Sequence, residues 1–319
     1  MGFPFDVRRG RYARHSIHRG TPANISPSAQ ILSSSISDLP AAVDSRSTLA
    51  KSVRSVPVLN RSQRGRTRRV LVQRHGPLGT QRRPDELIVE EPLSIQLDGT
   101  LVATTMRTPG NDYELAVGFL HSEGMLDGAK VTKVRYCADG PAVDSNFNIV
   151  TVETNGMAPT PTSRLGPSNS SCGICGAEAI EELTARLAPL NTTPFDPLLL
   201  AEVADRVRED QKLFSKTGAV HAAASFDHSG KIILVREDIG RHNAVDKVVG
   251  RMVTNGEEPT DLGLYVSGRA SFEMVQKAWA GGFGTVVSVS APSALAAETA
   301  RAGNVQLAGF IRDGEINVY

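Results

Sequence analysis

From Arg69 onward, apolar and polar positions alternate in short runs broken by turn residues. "RVLVQ" reads as a strand. "DELIVEEPLSIQLDGTLVATTMRT" reads as two strands around Asp98-Gly99, a dipeptide suited to a tight hairpin. Pro92 donates no backbone hydrogen bond, so it suggests an edge or a bend in the first of these strands. The period then changes from two to that of a helix in "PGNDYELAVGFLHSEGML". Asn111 or Asp112 would cap that helix, with Leu115, Phe119 and Leu120 on one face. "VTKVRYC" and "FNIVTVET" return to strand character.

Residues 156–171 are a Pro/Ser/Thr/Gly loop, followed by a helix over about 177–187 and a second over about 197–214. After Gly218, "GAVHAAASF" and "KIILVRE" are strands joined by "DHSG". Three strand–loop–helix units follow or overlap: "IILVREDIGRHNAVDKVVGRMV", "LGLYVSGRASFEMVQKAWAGG" and "TVVSVSAPSALAAETARAG". "VQLAGFI" and "INVY" close the chain. Strands alternating with helices predict an α/β (α+β) fold, a helix-covered sheet in the C-terminal half beside a smaller β-rich N-terminal subdomain. The boundaries expected are 67–165 for the subdomain and 166–319 for the rest. Ligands in such folds bind outside the carboxyl ends of the strands. Those ends carry "EDIGRHN", "SGRAS" and "SAPSA".

Composition adds a third region. Residues 1–83 hold 16 Lys and Arg against 3 Asp and Glu, and the remainder 19 against 31, so a net charge of +1 conceals two opposed halves. Residues 1–66 are rich in Ser and Arg and lack apolar periodicity, which predicts a disordered basic leader. Its composition is that of a transit peptide or a nucleic-acid-binding tail. The plainer reading is an incidental extension or a start codon set too far upstream. No apolar run approaches the ~18 residues that span a bilayer. Three cysteines, an odd number, do not make a disulfide scaffold, and a reducing cytoplasm is the expected location. Neither nucleic acid nor membrane is expected as a partner. There is no solenoid repeat, P-loop or GxGxxG fingerprint.

Two of the cysteines fall in "SNSSCGICGAEAIEEL", residues 168–183. A structural zinc site needs four ligands, and Cys172 and Cys175 supply two, with no second CxxC or HxxxH. Zinc deaminases pair their cysteines with an earlier His-x-Glu. Here "HAA" puts Ala223 where that glutamate belongs. No metal site is expected. A thioredoxin-like dithiol sits after the first strand of a small domain, not behind a long loop in mid-chain. A sulfur carrier fits the local chemistry. The thiolate is the nucleophile, the start of a helix lowers its pKa, and flanking glycines let the backbone move and a partner approach. An inert structural turn is the remaining reading. Cys137, at a strand end, reads as a small buried residue.

In "EDIGRHNAVDK", Asp238, His242 and Asp246 are four apart and would share a helix face. Gly240, Arg241 and His242 would stand at that helix's amino end, where backbone N–H groups attract anions. "SGRASFEMVQKA" repeats the arrangement. Ser267, Gly268 and Arg269 leave a strand, Ser271 is a candidate cap, and Arg269 can grip phosphate through two parallel hydrogen bonds. Met274 reads as core. His221 and Lys216 are candidates for the same pocket. Alone, such a turn reads better as a capped helix with a satisfied histidine. Two consecutive strand ends bearing Gly-Arg make an anionic ligand more plausible than either alone.

These stretches jointly resemble the formate dehydrogenase accessory sulfurtransferases, the FdhD/NarQ family. The resemblance rests on "EEPLSIQLDG", "MRTPGNDYELAVGFLHSEG", "CGICG", "TGAVHAAAS", "EDIGRHNAVDK", "SGRASFEMVQKA" and "LAGFIRDGEINVY", in that order, over about residues 69–319. It implies a cytidine-deaminase-like fold in the later half and a homodimer. It implies that persulfide sulfur arrives from a cysteine desulfurase. That sulfur then passes to the molybdenum (or tungsten) bis-guanine-dinucleotide cofactor of formate dehydrogenase, as cargo, with no metal of the chain's own. The family's persulfide cysteine falls on Cys172 and its second cysteine on Cys175. The cofactor-contacting segment falls on Phe310, Ile311, Arg312, Asp313, Gly314 and Glu315. His221, Arg241, His242, Ser267 and Arg269 are the candidates to hold the cofactor's phosphates and base.

Overall fold

A computed structural model describes residues 65–137, 146–161 and 176–319. The expected leader up to residue 64, and the expected loop from residue 162 on, lie outside the described residues.

The first element is a long hairpin, β1 (Thr67–Gly76) with β2 (Gly79–Ile88). The second strand is not legible as one: its first half, "GTQRRP", has no apolar alternation because almost nothing in it is buried. The expected hairpin around Asp98-Gly99 is β3 (Glu91–Leu97) with β4 (Thr100–Arg107). Both turn residues have positive φ, 47° and 88°, the backbone a two-residue turn between twisted strands requires. β5 (Lys133–Tyr136) and β6 (Ile149–Glu153) complete a sheet of order β4-β3-β6-β5. β3 is therefore an interior strand, not an edge. Pro92 is tolerated because its only partner is Met106 of β4, and pairing with β6 begins at Ser94.

α1 (Asp112–Ser122) covers this sheet. Leu115 and Leu120 are fully buried and Phe119 packs against the same cluster. Neither expected cap functions as one. Asn111 stands at the cap position in left-handed backbone without a side-chain bond. The Asp112 carboxylate is taken by the buried Arg107 (3.2 and 3.0 Å), the Gly110 N–H (3.0 Å) and the Tyr136 hydroxyl (3.2 Å). Cys137 is buried at the end of β5.

The second sheet has the order β12-β11-β10-β9-β7-β8. Its strands are β7 (His221–Phe226), β8 (Ile232–Asp238), β9 (Gly263–Val266), β10 (Thr285–Ser288), β11 (Gln306–Arg312) and β12 (Glu315–Val318). β9, β10 and β11 run parallel, and β7 is antiparallel to both β8 and β9. Alternate residues serve opposite cores. Ala223, Leu264, Val266, Val286 and Leu307 face α2 (Gly176–Arg186), α5 (Arg241–Asn255), α6 (Phe272–Ala280) and α7 (Ala294–Ala302), with Met274 at the centre. Ala224, Phe226, Tyr265, Val287 and Ala308 face α3 (Pro197–Asp210). The single long helix expected over 197–214 is broken at Gln211, where α4 (Lys212–Thr217) begins. The Glu237 carboxylate accepts from the N–H groups of Leu213 and Phe214, both at 2.8 Å, and so starts a new helix. Among the described residues, no helix is long and apolar enough to cross a membrane.

The two sheets are joined where α1 crosses α5. Gly118 and Gly250 face each other there. A Cβ on Gly118 would fall on the Asp246 carbonyl oxygen, and one on Gly250 on the Glu114 carbonyl oxygen. Backbone cannot give as a side-chain tip can. Gly118→Ala is therefore expected to destabilise the protein by about 1–3 kcal/mol, read as a lowered denaturant midpoint. Gly76→Ala, at an ordinary φ with open space around its Cβ, is the control for replacing a glycine without a clash.

Candidate functional site

Because β7 runs against its neighbours, its start lies at the same sheet edge as the ends of β8, β9, β10 and β11. That edge gathers most of the polar residues singled out from the sequence. Asp238 ends β8 and is fully buried. Its carboxylate accepts from Lys247 Nζ (2.7 Å), Gly240 N (2.8 Å), Asn243 Nδ2 (2.9 Å) and Thr108 N (3.1 Å). Lys247 also donates to the Thr108 carbonyl at 3.1 Å, and Asn243 to the Met106 carbonyl at 2.7 Å. The end of β4 thus clamps the turn before α5. Burial lowers the Lys247 amine below its ordinary pKa, and the Asp238 charge offsets this only in part. Asp238 therefore does not share a helix face with His242 and Asp246, since α5 begins only at Arg241.

His242 and Asp246 do lie one turn apart on α5, opposite a matching pair on α6. His242 Nε2 meets Glu273 Oε2 at 2.7 Å, and Lys277 Nζ donates to Asp246 at 2.9 and 3.1 Å and to Glu123 at 3.2 Å. Burial alone would raise the Glu273 carboxyl. The hydrogen bond and charge of His242, with Lys277 and Arg241, outweigh it and hold the group below the usual carboxylate range. Burial alone would lower the Lys277 amine, but the Asp246 and Glu123 carboxylates keep it above its ordinary value.

His221, at the start of β7, meets the Ser267 hydroxyl at 3.2 Å through Nδ1. That oxygen also accepts the Ala222 N–H at 2.9 Å. Burial, then the charges of Arg241 and His242, lower the His221 pKa, so the ring is a neutral imidazole at pH 7. Gly268 lies against these groups: a Cβ there would be in ordinary contact with Arg241 Cδ at 3.5 Å and His221 Cε1 at 3.6 Å. A cleft of about 330 Å³ opens beside them, lined by His221, Ser267, Ile239 and Val289 from the sheet edge and by Arg208, Gln211 and Phe214 from α3 and α4. Two buried polar atoms at this edge have no partner among the described residues, Arg241 Nε and Ser271 Oγ. Ser271 occupies the cap position of α6, yet its hydroxyl makes no cap bond.

The structure thus brings His221, Arg241, His242 and Ser267 together. Of these only His221 and Ser267 line the cleft; Arg241 and His242 lie beside it, and Arg269 and Lys216 are exposed and outside its lining. Phe310, Ile311, Arg312, Asp313, Gly314 and Glu315 form the end of β11 and its turn into β12, with Asp313 and Gly314 at positive φ. Phe310 is half exposed, and its N–H reaches the Ser290 carbonyl at 3.4 Å, beyond β10. This segment shares the sheet edge without lining the cleft. Cys172 and Cys175 lie outside the described residues, directly ahead of α2. That helix is anchored by Leu183 in the core and by Arg186, which donates to the Ser122 carbonyl at 3.2 Å. Among the described residues no three His, Cys, Asp or Glu side chains converge on a metal site. Glu273 and Lys247 were not singled out from the sequence. The signal for Glu273 is its spacing of four from Lys277, the same as that of His242 from Asp246.

Known proteins share this chain's sequence and fold over most of its length. The FdhD/NarQ family model matches residues 88–319. A protein of Streptomyces coelicolor named sulfur carrier protein FdhD is 45% identical over 262 residues, covering 79% of this chain and 92% of the relative. Proteins of the same name from Corynebacterium efficiens (43% identical, 74% of this chain and 90% of the relative) and Mycobacterium tuberculosis (42%, 74% and 90%) are similar in extent. A crystal structure from Desulfotalea psychrophila, described as a formate dehydrogenase accessory protein, superposes with a TM-score of 0.63. It is 23% identical and covers 80% of this chain and 96% of that one, a likeness of fold. With most of its length matched in these ways, the chain belongs to the FdhD/NarQ family.

Proposed function

We propose that this chain is a sulfur carrier that accepts persulfide sulfur from a cysteine desulfurase on Cys172 and delivers it to the molybdenum bis-guanine-dinucleotide cofactor of formate dehydrogenase. The observation that carries the reading is a "CGICG" segment leading into an anchored helix, in a chain 45% identical to a protein named as a sulfur carrier. In the first step the Cys172 thiolate attacks the outer sulfur of the donor persulfide. The donor's S–S bond breaks, its thiolate leaves, and Cys172–S–SH forms. In the second step the Cys172 S–S bond breaks, the outer sulfur passes to the reduced metal of the cargo cofactor, which supplies the two electrons that make it a sulfido ligand, and the Cys172 thiolate is regenerated.

The sheet-edge cleft suits such a cargo. Neutral His221 and Ser267 line it and bring hydrogen-bonding groups, while Arg241, beside it and outside its lining, brings a fixed positive charge and the start of α5 brings backbone N–H groups. The thiol segment and the cleft are the loading and unloading ends of one transfer.

The direct test is mass spectrometry after incubation with a desulfurase and cysteine. The wild-type chain gains about 32 Da per sulfur atom bound, Cys175→Ala keeps the gain, and Cys172→Ala loses it. A wild-type chain that gains no mass would leave only a cofactor-binding chaperone.

A further inference from the structure

Two side chains of the sheet-edge cleft are buried yet lack hydrogen-bond partners. Gln211 is 4% exposed and Tyr265 3% exposed, and both line the cleft. Among the described residues no hydrogen bond reaches the Gln211 amide or the Tyr265 hydroxyl, and neither group is sealed from solvent. What each exposes is therefore its polar end, opening into the cleft. A buried amide or hydroxyl without a partner weakens a fold, so such a pair in one cleft marks groups kept for a ligand.

The fold puts both there for local reasons. Gln211 stands where α3 breaks, because the Glu237 carboxylate takes the N–H groups of Leu213 and Phe214 and starts α4. The Gln211 backbone is satisfied by its neighbours. Its N–H donates to the Arg208 carbonyl at 3.3 Å, and its carbonyl accepts from the Ser215 N–H at 3.0 Å and the Ser215 hydroxyl at 2.8 Å. Only the side-chain amide is left over. Tyr265 lies within β9, in the cluster of Ala224, Val287 and Ala308. Burial pushes its phenol up to about 12, so the hydroxyl stays protonated and able to donate at neutral pH.

The rest of the lining sorts the ligand's chemistry. Val220, Ile239 and Val289 offer apolar walls and Phe214 an aromatic one. Among the described lining residues Arg208 alone carries a fixed charge, and its guanidinium lies over the Phe214 ring, 4.6 Å from the centroid. Such walls suit a flat uncharged heterocycle better than a phosphate. A glutamine amide offers a donor and an acceptor side by side, which matches a ring edge that carries an acceptor and a donor side by side.

We infer that the cleft reads a guanine base and that Gln211 recognises its cyclic-amide edge. The inference rests on the cargo proposed above, which carries guanine. Gln211 Oε1 accepts the base's N1–H, Nε2–H donates to O6, and the Tyr265 hydroxyl supplies a further donor. The phosphates then fall outside the lining, on the side of Gly268 and Arg241.

The test is calorimetric titration of the full chain with nucleoside diphosphates. The wild type is expected to bind GDP and inosine diphosphate comparably, since both bases keep the N1–H and O6 edge. It is expected to bind O6-methyl-GDP, which lacks that edge, at least about tenfold more weakly. This comparison needs no variant, so misfolding cannot confuse it. Gln211→Met keeps the side chain's length without the amide. It is expected to lose at least about tenfold in GDP affinity and to stop distinguishing GDP from O6-methyl-GDP. Tyr265→Phe is expected to weaken GDP less. A wild type that does not bind GDP, one that binds O6-methyl-GDP as tightly, or a Gln211→Met chain that binds GDP as the wild type does overturns the inference. A wild type that gains sulfur mass yet treats the two nucleotides alike loses this inference alone. One that discriminates between them yet gains no sulfur loses the carrier reading alone.

Discussion

Formate dehydrogenase co-produced with the Cys172→Ala chain is expected to have activity at background level, while its polypeptide accumulates as it does with the wild-type chain. The substitution removes one sulfur atom and little volume, so its effect is chemical. The neighbouring hydroxyls of Ser170 and Ser171 cannot hold sulfane sulfur, because at neutral pH an alcohol stays protonated where a thiol near a helix start ionises. Cys175 directly precedes Gly176, the first residue of α2, and shares that electrostatic advantage. It cannot substitute if loading and unloading are tied to the position of Cys172. Activity close to wild type from the Cys172→Ala chain would remove the carrier mechanism. Loss of activity together with loss of the dehydrogenase polypeptide would point to chaperoning.

The second large effect is on stability. Asp238→Ala is expected to cost about 3–5 kcal/mol in equilibrium unfolding, the usual range when one member of a buried ion pair is removed. Both Asp238 and Lys247 are fully buried, and the carboxylate has three further donors, the N–H groups of Thr108 and Gly240 and the Asn243 amide. The variant strands an ammonium and three polar groups at once. The loss should be pH-dependent with a definite sign. Lys247 already titrates below its ordinary value because of burial, and without Asp238 it falls further. The folded variant then binds fewer protons than the unfolded chain, so its stability rises with pH up to the ordinary lysine pKa, about 10.4. The gap between variant and wild type should narrow as pH is raised. A cost below about 1 kcal/mol, with no such trend, would show that the pair is not buried in the way described.

The fold is legible in the sequence wherever burial imposes a period. Ala222 to Phe226, Leu264 to Val266 and Val286 to Val287 alternate between two cores, and each strand–helix unit announces itself through that constraint. What is not legible depends on groups distant in the chain. β2 escapes notice because an exposed arm needs no apolar alternation. The break at Gln211 is made by a carboxylate on β8, 26 residues later in sequence, and "EDQKLF" by itself reads as continuous helix. At the site, residue types at turns were readable, and His221, Arg241, His242 and Ser267 do converge. The misplacement of Asp238 has a simple cause. A spacing of four is helical only once the strand has ended, and here the strand runs to Asp238 and the helix starts only after Gly240. Ser271 shows the converse. Its type and position are those of a cap, but cap position does not ensure a cap bond.

The rungs between α5 and α6 act as a detent. His242 and Asp246 stand opposite Glu273 and Lys277, so sliding α6 by one turn, about 5.4 Å, would set His242 before an ammonium or Asp246 before another carboxylate. The offset between the two helix starts, with Arg241 at one and Ser271 at the other, is therefore quantised. A guest that bridges both must match one gauge, because neither helix can creep to meet it.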